Sequence, residues 1–143
     1  MKQKLIQAAP LLATLLGVAL APASNWCVFQ SKICYGSWID HIYDPFTEPL
    51  YQFAIPAIVL GIVLPFVSAR VFRSWLKFAA WALPVAFIWI AITPVSWTGL
   101  GINFYPYYRI NAAHDAGIAF TVLSLLFIAW KYFKRPSNLS ESL

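Results

Sequence analysis

The chain has 143 residues, about one domain by length, of which 61% are apolar and only 10% charged, with a mean hydropathy of +0.69. Soluble domains carry roughly 25% charge, so this composition excludes a soluble enzyme core, a nucleic-acid module and a disordered chain. The formal charge of +5 says less by its sum than by where the basic residues fall.

The first predicted element follows the basic start Met1-Lys2-Gln3-Lys4 and spans about residues 5–22. With Ala21-Pro22-Ala23 behind it, this run resembles a secretory signal with a small-residue cleavage site. It is long for a signal and short for a span, and we read it as a retained first helix with Pro10 as a kink point.

Residues 23–49 form the first polar segment and hold the only two cysteines, Cys27 and Cys34. A disulfide between them would close a ring of eight residues, contributing about 2.5 kcal/mol on the chain-entropy formula. The expected role is a structural staple on an oxidising side of the membrane. A thiol–disulfide exchange site would need a C-x-x-C pair and a relay cysteine, and the sequence has neither. The segment continues through Trp38, Asp40, His41, Tyr43 and Asp44, where Asp40 and Asp44 would share one helical face.

Spans two and three are expected at about 50–69 and 78–97, joined by a basic cytoplasmic turn over 70–77. So short a link predicts a tight antiparallel hairpin. Each span carries two prolines, Pro56 and Pro65 in one and Pro84 and Pro94 in the other, which suggests two bent helices nested together. The second outer segment, 98–111, contains Tyr105, Tyr107, Tyr108 and Arg109. The last span is expected at about 112–130, with Asn111 as its N-cap and Asp115 offsetting the positive helix end. Arg109 would then pair with Asp115 or with an acid of the first outer segment. Residues 131–143 form a polar tail.

A span needs about 20 apolar residues to cross about 30 Å of hydrocarbon, and helices alone satisfy the backbone there without closing a barrel. The expected fold is therefore all-α, a bundle of four transmembrane helices with a small aromatic outer cap. Lys2, Lys4, Arg70, Arg73, Lys77, Lys131, Lys134 and Arg135 fall on one set of segments, against the single acid Glu141. The positive-inside rule places those segments and both termini in the cytoplasm. Tyr51, Trp75, Trp81, Trp97, Trp130 and Tyr132 read as interfacial anchors, and the basic residues of the 70–77 turn and the tail as contacts to anionic lipid.

Both histidines, His41 and His114, stand beside an aspartate on the outer side. Were they to converge, Asp40, His41, Asp44, His114 and Asp115 would suit a divalent metal, and two imidazoles would suit a haem iron. Ordinary hydrogen bonding is the simpler reading, and no cofactor is expected. Trp26, Trp38, Tyr43, Tyr105, Tyr107, Tyr108 and Arg109 are candidates for an outer-face contact. No catalytic triad, phosphate loop, nucleic-acid patch or charged intramembrane residue is legible. The expectation is a non-catalytic accessory subunit or assembly factor of a bacterial inner-membrane complex, bound to lipid and to membrane-protein partners. The alternatives are a small self-associating pore or transporter, a metal or redox protein, and an immunity or exclusion protein.

Overall fold

The computed structural model describes residues 2–39, 46–93 and 108–134. Four helices there are long and apolar enough to cross a membrane: α1 (Lys2–Asn25), α2 (Glu48–Val63), α3 (Ala69–Ile92) and α4 (Arg109–Phe133). Among the described residues there is no strand.

Contacts fix the direction of each helix. Gln7 Nε2 donates to the Val67 carbonyl at 3.0 Å, Gly61 lies against Leu11, and Gly17 lies against Ala54. Positions rising on α1 meet positions falling on α2, so the two run antiparallel. Gly117 of α4 faces Phe53 and Pro56 of α2. Phe78 of α3 stacks on Phe127 of α4, ring centroids 5.2 Å apart, while Arg109 reaches Thr93 and Ala91, so α3 and α4 are antiparallel. One end of the bundle therefore carries Lys4, Arg70, Arg73, Lys77, Lys131 and Lys134. The other carries Cys27, Cys34, Glu48 and Arg109.

The expected hairpin of spans two and three is overturned. Close backbone packing joins α1 to α2, α2 to α4 and α4 to α3, but not α2 to α3. The last helix sits between them, because Gly117 and the fully buried Ala112 and Ala113 let α4 approach α2 more closely than a larger face would. Phe53 still touches both neighbours, with its ring centroid 5.4 Å from Phe87 and 5.9 Å from Phe120. The matched prolines are not a nested pair either. Of these four, Pro56 and Pro84 lie inside α-helices. Pro65 belongs to a 3₁₀ turn, Leu64–Phe66, that ends α2, and Pro94 lies outside the described residues.

The 70–77 turn is a second correction. The chain reverses at Val67 and Ser68, both extended, and α3 begins at Ala69. Arg70, Arg73 and Lys77 are thus on the first turns of α3, where basic residues oppose the helix dipole. Burial outweighs that small cost: Val71, Phe72, Trp75 and Ala79 recur at helical spacing and are all buried in the core, while the charged side chains point outward. Trp75 is consequently a core residue, 4% exposed, and not an interfacial anchor. Trp81, expected near a span end, lies mid-helix and exposed. Trp130 and Tyr132 keep their exposed positions near the end of α4, and Trp130 lies under both Lys131 and Lys134, 5.0 and 4.9 Å from its ring.

The core runs through the packed faces of α2, α3 and α4. Outside it, large apolar side chains such as Leu16, Ile62, Val85, Ile88 and Leu126 stay exposed along the helices, the pattern of a bundle bathed in hydrocarbon rather than water.

Candidate functional site

The end opposite the basic residues holds the most specific local structure. Helix α1 continues into a π-helical turn, Trp26–Gln30. Ser31 ends that turn with two bonds, its N–H donating to the Trp26 carbonyl at 2.8 Å and its hydroxyl to the Cys27 carbonyl at 2.9 Å. Lys32 then adopts a left-handed backbone, φ 57°. That conformation strains a residue with a Cβ and persists only where its surroundings fix it. Here they do: Cys34 N–H returns to the Cys27 carbonyl at 3.2 Å, and Cys27 and Cys34 are joined by a disulfide with Cα atoms 5.4 Å apart. Val28 within the knuckle is fully buried. The staple expected from the sequence is present.

What the knuckle presents is apolar. Trp26, Phe29, Ile33, Tyr35 and Trp38 are each more than half exposed. Tyr105 and Tyr107 of the second outer segment, expected to pack with these residues into a cap, lie outside the described residues, as do Tyr43 and Arg135. Tyr108 precedes α4 with an extended backbone and is the N-cap. Asn111 is therefore not the cap; it lies within the first turn, and Asp115 falls beyond that turn.

Arg109 ties the start of α4 to the end of α3. Its Nε donates to the Thr93 carbonyl and its Nη2 to the Ala91 carbonyl, both at 2.9 Å. Ala91 lies in the last turn of α3 and Thr93 is its C-cap, where carbonyls have no partner within the helix itself. A guanidinium there meets both the open acceptors and the negative end of the dipole. Arg109→Ala should cost about 1.5–3 kcal/mol, by the usual worth of hydrogen bonds to a charged group. Thermal unfolding in detergent would register it, with faster amide exchange confined to the end of α3. Arg109→Lys should recover less than half, since an ammonium cannot fork to two carbonyls.

Asp40, His41 and Asp44 lie outside the described residues. His114 is half-buried on α4, and its Nδ1 is buried with no hydrogen-bond partner among the described residues. Asp115 is exposed and borders a groove between α3 and α4 beside Trp89. Among the described residues, no three His, Cys, Asp or Glu side chains come together as a metal site. Arg70, Arg73, Lys77 and Lys134 are exposed at the opposite end, with Lys131 half-buried.

Sequence reasoning missed two features. Ser68, Thr121, Ser124 and Trp75 each bury a polar atom with no partner among the described residues; the three hydroxyls were legible only as mild polarity. A groove of about 670 Å³ also runs between α1 and α3 over the face of α2, which no single helix pattern encodes. No family model, curated protein or solved structure matches the chain.

Proposed function

We propose that this protein is a non-catalytic multi-pass membrane protein, an accessory subunit or assembly factor of a larger inner-membrane complex, with both termini in the cytoplasm and the knuckle outward. The observation that carries the reading is the disulfide-closed knuckle with five large apolar side chains exposed. A rigid, covalently closed loop loses little conformational entropy on docking, and Trp and Tyr are the side chains most enriched where binding energy concentrates. Two independent criteria support the orientation. The basic end is the end the positive-inside rule keeps cytoplasmic, and the cystine end suits an oxidising compartment.

The test is a photo-crosslinking residue at position 38 combined with purification through a C-terminal tag in mild detergent. We expect larger membrane proteins in fixed stoichiometry, crosslinked through residue 38, and reduced at least fivefold when Cys27 and Cys34 are both changed to Ser. A homo-oligomer with nothing else bound would overturn the reading in favour of a self-associating pore or transporter.

A further inference from the structure

We propose that the groove between α3 and α4 binds an amphipathic organic cation drawn from the bilayer, its ammonium held between Asp115 and the Trp89 ring. The inference rests on the membrane reading above, though not on which face is cytoplasmic or on any partner at the knuckle.

An acid inside a spanning helix calls for an explanation. Asp115 lies six positions after Arg109, the first residue of α4, which is about 9 Å along the axis at 1.5 Å per residue. Ionisable side chains within spans are rare, because hydrocarbon penalises them, and they mark sites for ions or ligands. Asp115 is exposed and lines a groove of about 410 Å³ between α3 and α4, within the range of small-molecule sites. Its Cα–Cβ bond tilts toward the start of α4, and so toward the headgroup layer at the cystine end. An ammonium seated there stays near water while its apolar body runs down the groove.

The rest of the lining suits that body. Ala82, Ala86, Ala116 and Ala119 line the groove from both helices, and their small side chains leave the space open. Trp81, Val85 and Trp89, each one helical turn from the next along α3, also line it and are more than half exposed, so the groove is reached sideways from the bilayer. From Phe78 to Trp89 the α3 wall is about 16 Å long. Trp89 and Asp115 stand at the same end of it, because α3 and α4 are antiparallel and Phe78 stacks on Phe120 and Phe127 toward the other end. A cation at the upper end therefore meets a carboxylate and an indole together, and tryptophan is the best of the aromatic partners for a cation.

Charge selects the occupant. Among the described residues no basic side chain lines the groove, so an anionic lipid meets repulsion there without a partner. A zwitterionic lipid brings a phosphate with its ammonium and gains little. A second copy packed through this face about an axis along the membrane normal would bring the two Asp115 side chains together, and like charges in such surroundings repel. A carboxylate offers about four acceptor sites, so bonds that Asp115 makes within the chain leave it able to take an ammonium.

The experiment uses the whole chain in phosphatidylcholine nanodiscs, with tritiated decylammonium as the probe and 1-decanol as its neutral analogue. Empty nanodiscs measure partition into lipid. Equilibrium dialysis should show saturable binding of one decylammonium per chain, and only partition for 1-decanol. Asp115→Asn should weaken binding about tenfold, the scale of one lost charge-assisted bond, and Asp115→Glu should restore most of it. Trp89→Leu should weaken it about threefold. Ala119→Phe, which fills the groove from an exposed position, should abolish saturable binding. Equal saturable binding of 1-decanol, the absence of saturable binding of decylammonium, or undiminished binding by Asp115→Asn would overturn the proposal. So would a dimer disrupted by Ala119→Phe, which would make the groove an interface between copies. The comparison of the two probes needs no variant, so it stands even if a substitution fails to fold. A failed pull-down or an inverted topology leaves this readout unaffected, so the two readings fail separately.

Discussion

Gly117→Leu should separate α2 from α4 and abolish a monodisperse folded species in detergent. A Cβ at position 117 would lie 2.7 Å from the Phe53 carbonyl oxygen, 2.8 Å from Pro56 Cγ and 3.0 Å from Phe53 Cα. Two of these contacts are backbone, and proline's ring is fixed, so no side-chain rotation relieves them. The helices must move apart, and the Phe53 contacts with Phe87 and Phe120 go with them. Overpacking of this kind costs about 1–3 kcal/mol for small insertions, and a leucine on backbone exceeds that range. The glycines themselves supply an internal scale. Gly61→Ala meets Leu11 Cα at 2.9 Å and should be intermediate. Gly17→Ala meets only the Ala54 methyl at 3.1 Å and should be mild. Thermal unfolding followed by size-exclusion profile ranks them, and the expected order of damage for the alanine series is Gly117, then Gly61, then Gly17. A Gly117→Ala protein as stable as the Gly17→Ala protein would contradict the α2–α4 contact.

Reduction of Cys27–Cys34 should loosen the knuckle and leave the bundle standing. The ring of eight residues contributes about 2.5 kcal/mol through the unfolded ensemble. That contribution is local, because the core cluster contains neither cysteine. The strained left-handed Lys32 loses its restraint first. Trypsin, which cleaves after exposed lysine, should cut at Lys32 more than tenfold faster in the reduced protein, since about 1.4 kcal/mol already corresponds to a factor of ten. The thermal unfolding of α2–α4 should shift by little. Equal cleavage of the oxidised and reduced forms would mean that the disulfide does not restrain the loop.

The sequence made the four spans legible because each is an uninterrupted apolar run with charges only near its ends. It made the cystine legible because only two cysteines exist on one short segment. The start of α3 was misread for an identifiable reason. Arg70, Arg73 and Lys77 look like a loop by charge, yet Val71, Phe72, Trp75 and Ala79 carry the spacing of a buried helical face, and long basic side chains can leave such a helix from its other side. The end of α3 was also there to be read, since the residue before Pro94 is biased toward extended backbone and Thr93 adopts it. That ending frees the carbonyls that Arg109 takes. The order of the helices was not legible. Chain connectivity makes α2 and α3 neighbours, but close approach is decided by which small residues face one another, and one sequence does not pair Gly117 with Phe53. The groove between α1 and α3 follows from that order, and so does the burial of Trp75 beside it.

The measurement that tests the account most directly is sidedness. In a chain with Cys27 and Cys34 both changed to Ser, Lys32→Cys and Arg73→Cys each place one thiol at an exposed position at opposite ends of the bundle. The chain is expressed in a bacterial inner membrane and treated with a membrane-impermeant maleimide. Lys32→Cys should be labelled in intact cells, whereas Arg73→Cys should be labelled only after the membrane is opened. Labelling of both in intact cells, or the reverse pattern, would contradict the spanning bundle with its knuckle outward.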